Sequence, residues 1–298
     1  MVGRNILENK NISKFELLTP SSIELNLLNF EDVDKYIKIN QPNFIIHAAG
    51  KVGGIQANIA NPTAFLVENL DMGRNIIMAA YKNNIKNLLN LGSSCMYPRN
   101  AKNPLTENLI LDGKLEPTNE GYALSKILST RLCEYISLEN QKFNYKTIIP
   151  CNLYGRHDKF QSKNSHMVAA VIKKLVDAKL KKVKVVDVWG DGTARREFMY
   201  AGDLADFILY AIKNFNKMPQ NINVGVGQDY TITEYYQIIA KVIGYKGDFI
   251  YDTSKPTGMK QKLIDDTNLV NFGWKSKMKL EDGIKKTYNF YKNLIINE

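Results

Sequence analysis

Cysteine, histidine and tryptophan are scarce in this chain of 298 residues, which has three cysteines, three histidines and two tryptophans. Cys95, Cys133 and Cys151 are odd in number and lack metal-type spacing, which argues against a disulfide framework and a zinc site. Free thiols suit a reducing compartment, and a cytoplasmic protein is expected. No apolar run is long enough to span a bilayer. The first residues, Met1 to Asn9, have neither the apolar stretch nor the small-residue cleavage site of a secretory signal. No membrane partner is therefore expected. Acidic residues are outnumbered, 30 against 40 basic ones, for a net charge of +10. The lysines are spread along the chain, clustering only at Lys173-Lys174 and from Lys179 to Lys184, with no nucleic-acid-binding motif beside them. An anionic small substrate accounts for the few charges that function needs, and no nucleic-acid partner is expected.

A hydrophobic content of 44% without long apolar runs is that of a globular chain with a sizeable core. Phe15 to Leu18, Phe44 to Ala48, Leu88 to Leu91 and Thr147 to Pro150 read as buried parallel strands. Pro62 to Asn83 and Tyr122 to Glu139 have helical length and periodicity. This alternation predicts an α/β fold, a Rossmann-like doubly wound parallel sheet. After Gly155 the rhythm changes. Arg156 to Asn164 reads as a polar loop, Met167 to Ala178 as an amphipathic helix, and Val183 to Trp189 and Asn221 to Gly225 as strands. Thr231-Ile-Thr-Glu234 is a capping box for a helix through Val242. A smaller C-terminal α/β lobe is expected to close over the crevice. The division is 1–157 with about 197–226 for the dinucleotide-binding domain, and 158–196 with 227–298 for the substrate-binding lobe.

Tyr122 and Lys126 sit in Gly-Tyr-Ala-Leu-Ser-Lys, four apart and so on one helix face. The ammonium is expected to favour the phenolate, drawing the phenol down from its usual pKa of about 10. Ser93, at the end of a predicted strand, is placed to hydrogen-bond the same carbonyl oxygen that Tyr122 would protonate.

The runs His47-Ala-Ala-Gly-Lys-Val-Gly-Gly-Ile-Gln-Ala-Asn58, Gly92-Ser-Ser-Cys-Met-Tyr-Pro98, Leu115-Glu-Pro-Thr-Asn-Glu-Gly-Tyr122 and Pro150-Cys-Asn-Leu-Tyr-Gly155 resemble the GDP-L-fucose synthase family. These are epimerase/reductases of the extended short-chain dehydrogenase/reductase class. Asn164-Ser-His166, Trp189-Gly-Asp-Gly-Thr-Ala-Arg-Arg-Glu197 and Ser254-Lys-Pro-Thr-Gly258 extend the likeness almost to the C-terminus. The resemblance implies that GDP-4-keto-6-deoxy-D-mannose is inverted at C3 and C5 and then reduced at C4 with NADPH. It implies Ser93, Tyr122 and Lys126 as the reductase triad, Cys95 as base and His166 as acid. Gly3, Leu91, Gly92, Ser93, Ser94, Lys126, Pro150, Cys151, Asn152, Leu153 and His166 would contact the nicotinamide cofactor. Lys174, Trp189 and Arg196 would hold the GDP-sugar, and no metal is implied. His47 and His157 match no catalytic role and are read as structural, and Cys133 as core. The two long helices are candidates for a homodimeric four-helix bundle, as in related enzymes.

Three features depart from the pattern. Met1-Val2-Gly3-Arg4-Asn5-Ile6 matches only the tail of a glycine-rich dinucleotide turn, so the natural polypeptide is expected to begin about a dozen residues earlier. Without a first strand, its parallel neighbours would have unpaired backbone groups, and poor folding with weak cofactor binding is expected of such a chain. Leu18-Thr-Pro-Ser-Ser-Ile-Glu24 holds no arginine for an NADP 2′-phosphate, but no acidic residue occupies the position an NAD enzyme uses either. NADPH is expected, with NAD as the alternative. Thr257 replaces an acidic residue found in some relatives. The competing readings are a C4 reductase of a related GDP-4-keto sugar, a 6-deoxy-heptose or dideoxyhexose, with little or no epimerase activity, and a non-catalytic cofactor-binding or scaffold protein.

Overall fold

A computed structural model describes residues 1–160 and 165–296, which places Asn164 outside the described residues. The chain enters through a short helix, α1 (Val2–Leu7). The next helix is α2 (Phe30–Asn40), which Asn29 starts by accepting the amides of Glu31 and Asp32; those two carboxylates then favour the positive helix end. Strand β1 (Ile45–His47) leads to α3 (Ile55–Ala60) and α4 (Pro62–Lys82). Proline fits the first turn of α4, where no amide is needed. There follow β2 (Asn87–Leu91), α5 (Glu120–Glu139), β3 (Asn144–Pro150), β4 (Asn152–Tyr154) and α6 (Met167–Leu180). Next come β5 (Val185–Trp189), β6 (Arg195–Arg196), β7 (Phe198–Tyr200), α7 (Ala201–Lys213) and β8 (Asn221–Val224). The last part holds β9 (Tyr230–Thr231), α8 (Ile232–Ile243), β10 (Asp248–Asp252), β11 (Gln261–Lys262), α9 (Thr267–Asn271) and α10 (Leu280–Ile296). The expected capping box opens α8, with Thr231 and Glu234 each bonding the other's backbone, and Gly244 closes the helix in the left-handed conformation at φ 72°.

The central sheet is parallel, in the order β1-β2-β3-β8, with Ile46 opposite Leu89, Asn90 opposite Thr147 and Ile148 opposite Ile222. Alternation along β2 splits the core between its faces. Leu88 packs with Val33, Ile77, Ala80 and Cys133 from α2, α4 and α5. Leu89 and Leu91 pack on the other side with Phe207 and Ile208 of α7 and Ile6 of α1. Helices on both faces make the fold doubly wound. The later elements have their own core, in which Val171, Ile172 and Leu175 of α6 meet Tyr235 and Ile239 of α8, Val186 of β5 and Ile284 of α10.

One expectation of the fold needs correction. Phe15 to Leu18 is not a buried parallel strand. It is extended coil with Leu17 and Leu18 exposed, because no neighbouring strand among the described residues offers it a hydrogen-bonded ladder. Gly3 lies in the first turn of α1, which rests on α7, and a Cβ there would meet nothing within 4 Å. His47 is buried at the end of β1, where burial and then the charge of Lys126 push its imidazole down to about 3, so it is neutral in the core. His157 is tied to Glu8 at 2.6 Å and packs edge-on to Phe290. Both are structural, and Cys133 is fully buried.

Candidate active site

The carboxyl ends of the parallel strands carry the candidate residues, as expected of the ligand crevice of an open α/β sheet. Gly92 leaves β2 where a Cβ would come within 2.9 Å of the Met96 methyl, 3.1 Å of Thr147 and 3.2 Å of the Ile148 carbonyl, so a larger residue would force these neighbours to shift. The chain then turns through Ser93, whose hydroxyl accepts the Cys95 amide at 3.2 Å. Tyr122 and Lys126 come from the first two turns of α5. The Ser93 hydroxyl and Cys95 are both near enough to the Tyr122 phenol to act on its ionisation. Ser93, Cys95 and Tyr122 are thus brought together.

Lys126 lies behind them, buried, donating to the Leu91 carbonyl at 2.9 Å with its Nζ 5.8 Å from the Tyr122 ring centre. The expected acidification of the phenol is not found. Burial pushes Tyr122 up, the charge of Cys95 adds to this, and the Ser93 hydroxyl opposes it only in part. Burial likewise brings Lys126 down to about 8. Tyr122 therefore stands as a protonated phenol, able to give a proton.

Cys95 is held from two sides. Asn119 Nδ2 donates to its sulfur at 3.1 Å, and the Lys262 ammonium lies 3.7 Å away. Arg196 is close enough for Cys95 and Glu116 to act on its guanidinium, which donates to the Thr257 carbonyl at 2.8 Å. His166 stands at the start of α6, with Nδ1 3.6 Å from Asp158 Oδ1. Its neighbour Ser165 abuts the Gly53-Gly54 turn, where a Cβ on Gly54 would come 2.7 Å from the Ser165 carbonyl oxygen. No hydrogen bond or ion pair joins His166 to Cys95 among the described residues. Lys174 is engaged elsewhere, paired with Asp187 of β5 at 2.7 Å, and Trp189 ends that strand, partly exposed.

The loop after β1 is shaped for a ligand's close approach. Asn69 holds it by accepting the Lys51 amide at 2.8 Å and donating to the Lys51 carbonyl at 3.0 Å. A Cβ on Gly50 would stand 3.1 Å from Asn69 and 3.9 Å from Lys126 Nζ. The Lys126 ammonium, bonded to the Leu91 carbonyl near Gly50, puts a buried cation at the strand end, which fits the nicotinamide end of a dinucleotide. Pro150 and Asn152 flank the same sheet edge, and Asn152 donates to the Glu197 carbonyl at 3.0 Å. Cys151 does not turn its thiol to that edge: it is buried, bonded to the Asn152 carbonyl at 3.4 Å, and burial pushes it well up. Only its backbone remains for a cofactor. Among the described residues no cluster of His, Cys, Asp or Glu forms a metal site, and no helix is long and apolar enough to cross a membrane.

Sequence reasoning missed Asn119, Lys262 and Glu197. Glu197, the last residue of the Trp189 run, is fully buried; its carboxylate accepts the amides of Val226 at 2.6 Å, Gly227 at 3.0 Å and Ile264 at 3.0 Å. It thereby ties Arg196, its neighbour in sequence, to the segment that carries Lys262. Glu197→Ala leaves the buried Ile264 amide and the part-buried Val226 and Gly227 amides without their partner, and a loss of about 2 kcal/mol or more is expected in denaturant unfolding. Burial outweighs the three amides and raises the carboxyl from 4.5 to about 7. A raised acid stabilises the fold below its unfolded pKa, and that contribution fades as pH rises through about 7. Glu197→Gln is expected to flatten this part of the stability profile.

A family model for the NAD-dependent epimerase/dehydratase family matches residues 3–225. A GDP-L-colitose synthase of Yersinia pseudotuberculosis is 62% identical over 98% of this chain and 95% of that protein. A GDP-L-fucose synthase of Azorhizobium caulinodans is 46% identical over 98% of this chain and 93% of that protein. A GDP-mannoheptose C4 reductase from Campylobacter jejuni, solved with NADP bound, superposes with a TM-score of 0.87 at 31% identity, covering 98% of this chain and 95% of that one. With sequence, fold and strand-end chemistry in agreement, the chain belongs to the NAD-dependent epimerase/dehydratase family.

Proposed function

We propose that this protein is a GDP-L-fucose synthase, converting GDP-4-keto-6-deoxy-D-mannose to GDP-L-fucose by 3,5-epimerisation and NADPH-dependent 4-reduction. The observation that carries the reading is the convergence of Ser93, Cys95 and Tyr122 on one strand end, with Lys126 behind them. A ketone at C4 acidifies the hydrogens on C3 and C5, so one oxyanion-stabilising site serves both inversions and the reduction. Cys95, as thiolate, takes the proton from carbon, and the electron pair moves onto the C4 oxygen, where the Ser93 and Tyr122 hydroxyls receive the charge. His166 gives a proton to the opposite face, and exchange with water resets both groups. NADPH, when bound, supplies the reducing equivalent at C4. Tyr122 then hands its proton to the C4 oxygen, with the Lys126 ammonium stabilising the charge left on the phenol.

Gly3, Leu91 to Ser94, Lys126, Pro150 to Leu153 and His166 would hold the cofactor, Cys151 through its backbone. Arg196 and Trp189 would hold the GDP-sugar; Lys174 would reach it only by leaving Asp187. The dinucleotide domain is assigned to 1–157 and 197–226, and the sugar-binding lobe to the remainder. The proposal includes a cytoplasmic homodimer. Val67 on α4 and Leu128, Tyr135 and Leu138 on α5 are exposed apolar residues on the paired helices, suited to a four-helix bundle between two copies. Sedimentation equilibrium at micromolar concentration is expected to give twice the chain mass, and a monomer there would refute the bundle.

A second reading is favoured by the 62% identity to the GDP-L-colitose synthase. Colitose is a 3,6-dideoxyhexose, so its 4-keto precursor has no hydroxyl at C3 and needs inversion only at C5. Comparing kcat/KM for GDP-4-keto-6-deoxy-D-mannose and its 3-deoxy counterpart separates the two. Preference for the first by tenfold or more supports the fucose synthase, and the reverse preference replaces it with the second reading.

A further inference from the structure

We propose that Asn119 is the positioning residue of Cys95, holding its sulfur as an anion aimed at the sugar; this rests on the reading of Cys95 as the epimerisation base. Asn119 ends the 3₁₀ turn Pro117–Asn119, which Glu116 caps and which runs straight into α5, so the helix does not depend on a cap bond from the Asn119 side chain. It makes no such bond. Its Nδ2 turns instead to Cys95 Sγ at 3.1 Å, across 24 residues of sequence.

A second observation points the same way. Asn119 Oδ1 is buried and has no hydrogen-bond partner. The residue lines a cavity of about 180 Å³ with Asn58, Thr118 and Tyr122. One end of the amide thus serves the sulfur, and the other is buried without a partner. Tyr122 follows three positions later, on the same side of α5, so one helix start presents both the donor to Cys95 and the proton donor to the ketone.

The chemistry assigns the rest. A thiolate is an acceptor only, and a donor facing it favours the anion over the neutral thiol. Asn119 supplies that donor without adding charge, while the Lys262 ammonium, 3.7 Å from the sulfur, supplies the counter-charge. An amide held at 3.1 Å also fixes the sulfur's direction, which an ammonium on a flexible stem does less well.

The test needs no substrate for its first arm. Cys133 and Cys151 are buried, with burial holding their thiols up, so alkylation by iodoacetamide, read by peptide mass, reports Cys95 against two slow internal controls. In the full-length protein at near-neutral pH, Asn119→Leu is expected to slow alkylation of Cys95 about tenfold. Asn119→Asp, of the same shape but without an N–H donor, is expected to slow it further. Asn119→Gln, which keeps the donor, is expected to restore part of the rate. In the second arm, deuterium exchange at C3 and C5 falls with alkylation, while reduction of an already epimerised 4-ketone stays within about threefold of wild type. Unchanged alkylation in both the Leu and Asp variants, with melting temperatures preserved, overturns the proposal. Slowed alkylation in a protein that turns over no GDP-keto sugar upholds Asn119 and sinks the functional reading instead.

Discussion

Tyr122→Phe is expected to lower the rate of C4 reduction by about 10³-fold, within the range that loss of a general acid costs, while deuterium exchange at C3 and C5 persists. The change removes one oxygen and one proton, leaving Ser93 to bond the C4 oxygen alone. Exchange survives because Cys95 still takes the proton and one hydroxyl still receives the charge. Since burial pushes the phenol upward, Tyr122 stays protonated through the neutral range, and the fall in rate at alkaline pH is assigned to Lys126. Its ammonium is present below about 8 and lost above it. Wild-type reduction is therefore expected to decline as pH rises through about 8, and Lys126→Met to be slow on both sides of it. Stopped-flow absorbance of NADPH, alongside NMR of the sugar, separates the two steps. Loss of exchange equal to the loss of reduction would contradict the division of labour.

Cys95→Ser carries the second large effect, with the opposite pattern. Serine fits the space and accepts the Asn119 donor, but its hydroxyl is a far weaker acid than a thiol and gives no anion near neutrality. Exchange at C3 and C5 is expected to fall by about 10²-fold or more, while reduction of a ketone supplied already epimerised stays near the wild-type rate. The two variants are thus mirror images, and that crossing is a stronger test than either alone. A Cys95→Ser enzyme that exchanges normally would remove Cys95 from the chemistry and make its cradle of Asn119 and Lys262 a packing detail.

The strands and helices that hold this site were legible because their patterns are local. Leu88 to Leu91 is a short apolar run, and the structure extends it by one residue to Asn87. The capping box at Thr231 and Glu234 is a contact over three residues, and it forms as expected. Phe15 to Leu18 has the same strand-like composition yet remains coil, because strand formation depends on a neighbour that composition does not report. In the site, the spacing of Tyr122 and Lys126 put them on one helix face, while their reading as a triad with Ser93 came from the family resemblance of the surrounding runs. The electrostatics were not legible: the sequence puts an ammonium four residues from a phenol, but burial raises the phenol and Lys126 turns to the Leu91 carbonyl. Lys262 lies 167 positions from Cys95, and Glu197 reaches amides near residues 226 and 264. Only folding brings such pairs together. Asn119 could have been noticed, since it lies inside a family-like run, but by sequence it is an ordinary helix cap.

The most direct test of the account is one incubation of the full-length protein with GDP-4-keto-6-deoxy-D-mannose and NADPH in D₂O, followed by NMR of the product. The account predicts GDP-L-fucose carrying deuterium at both C3 and C5, with one NADPH consumed per sugar. A product reduced at C4 but unlabelled at both carbons, with its original configuration, would contradict it.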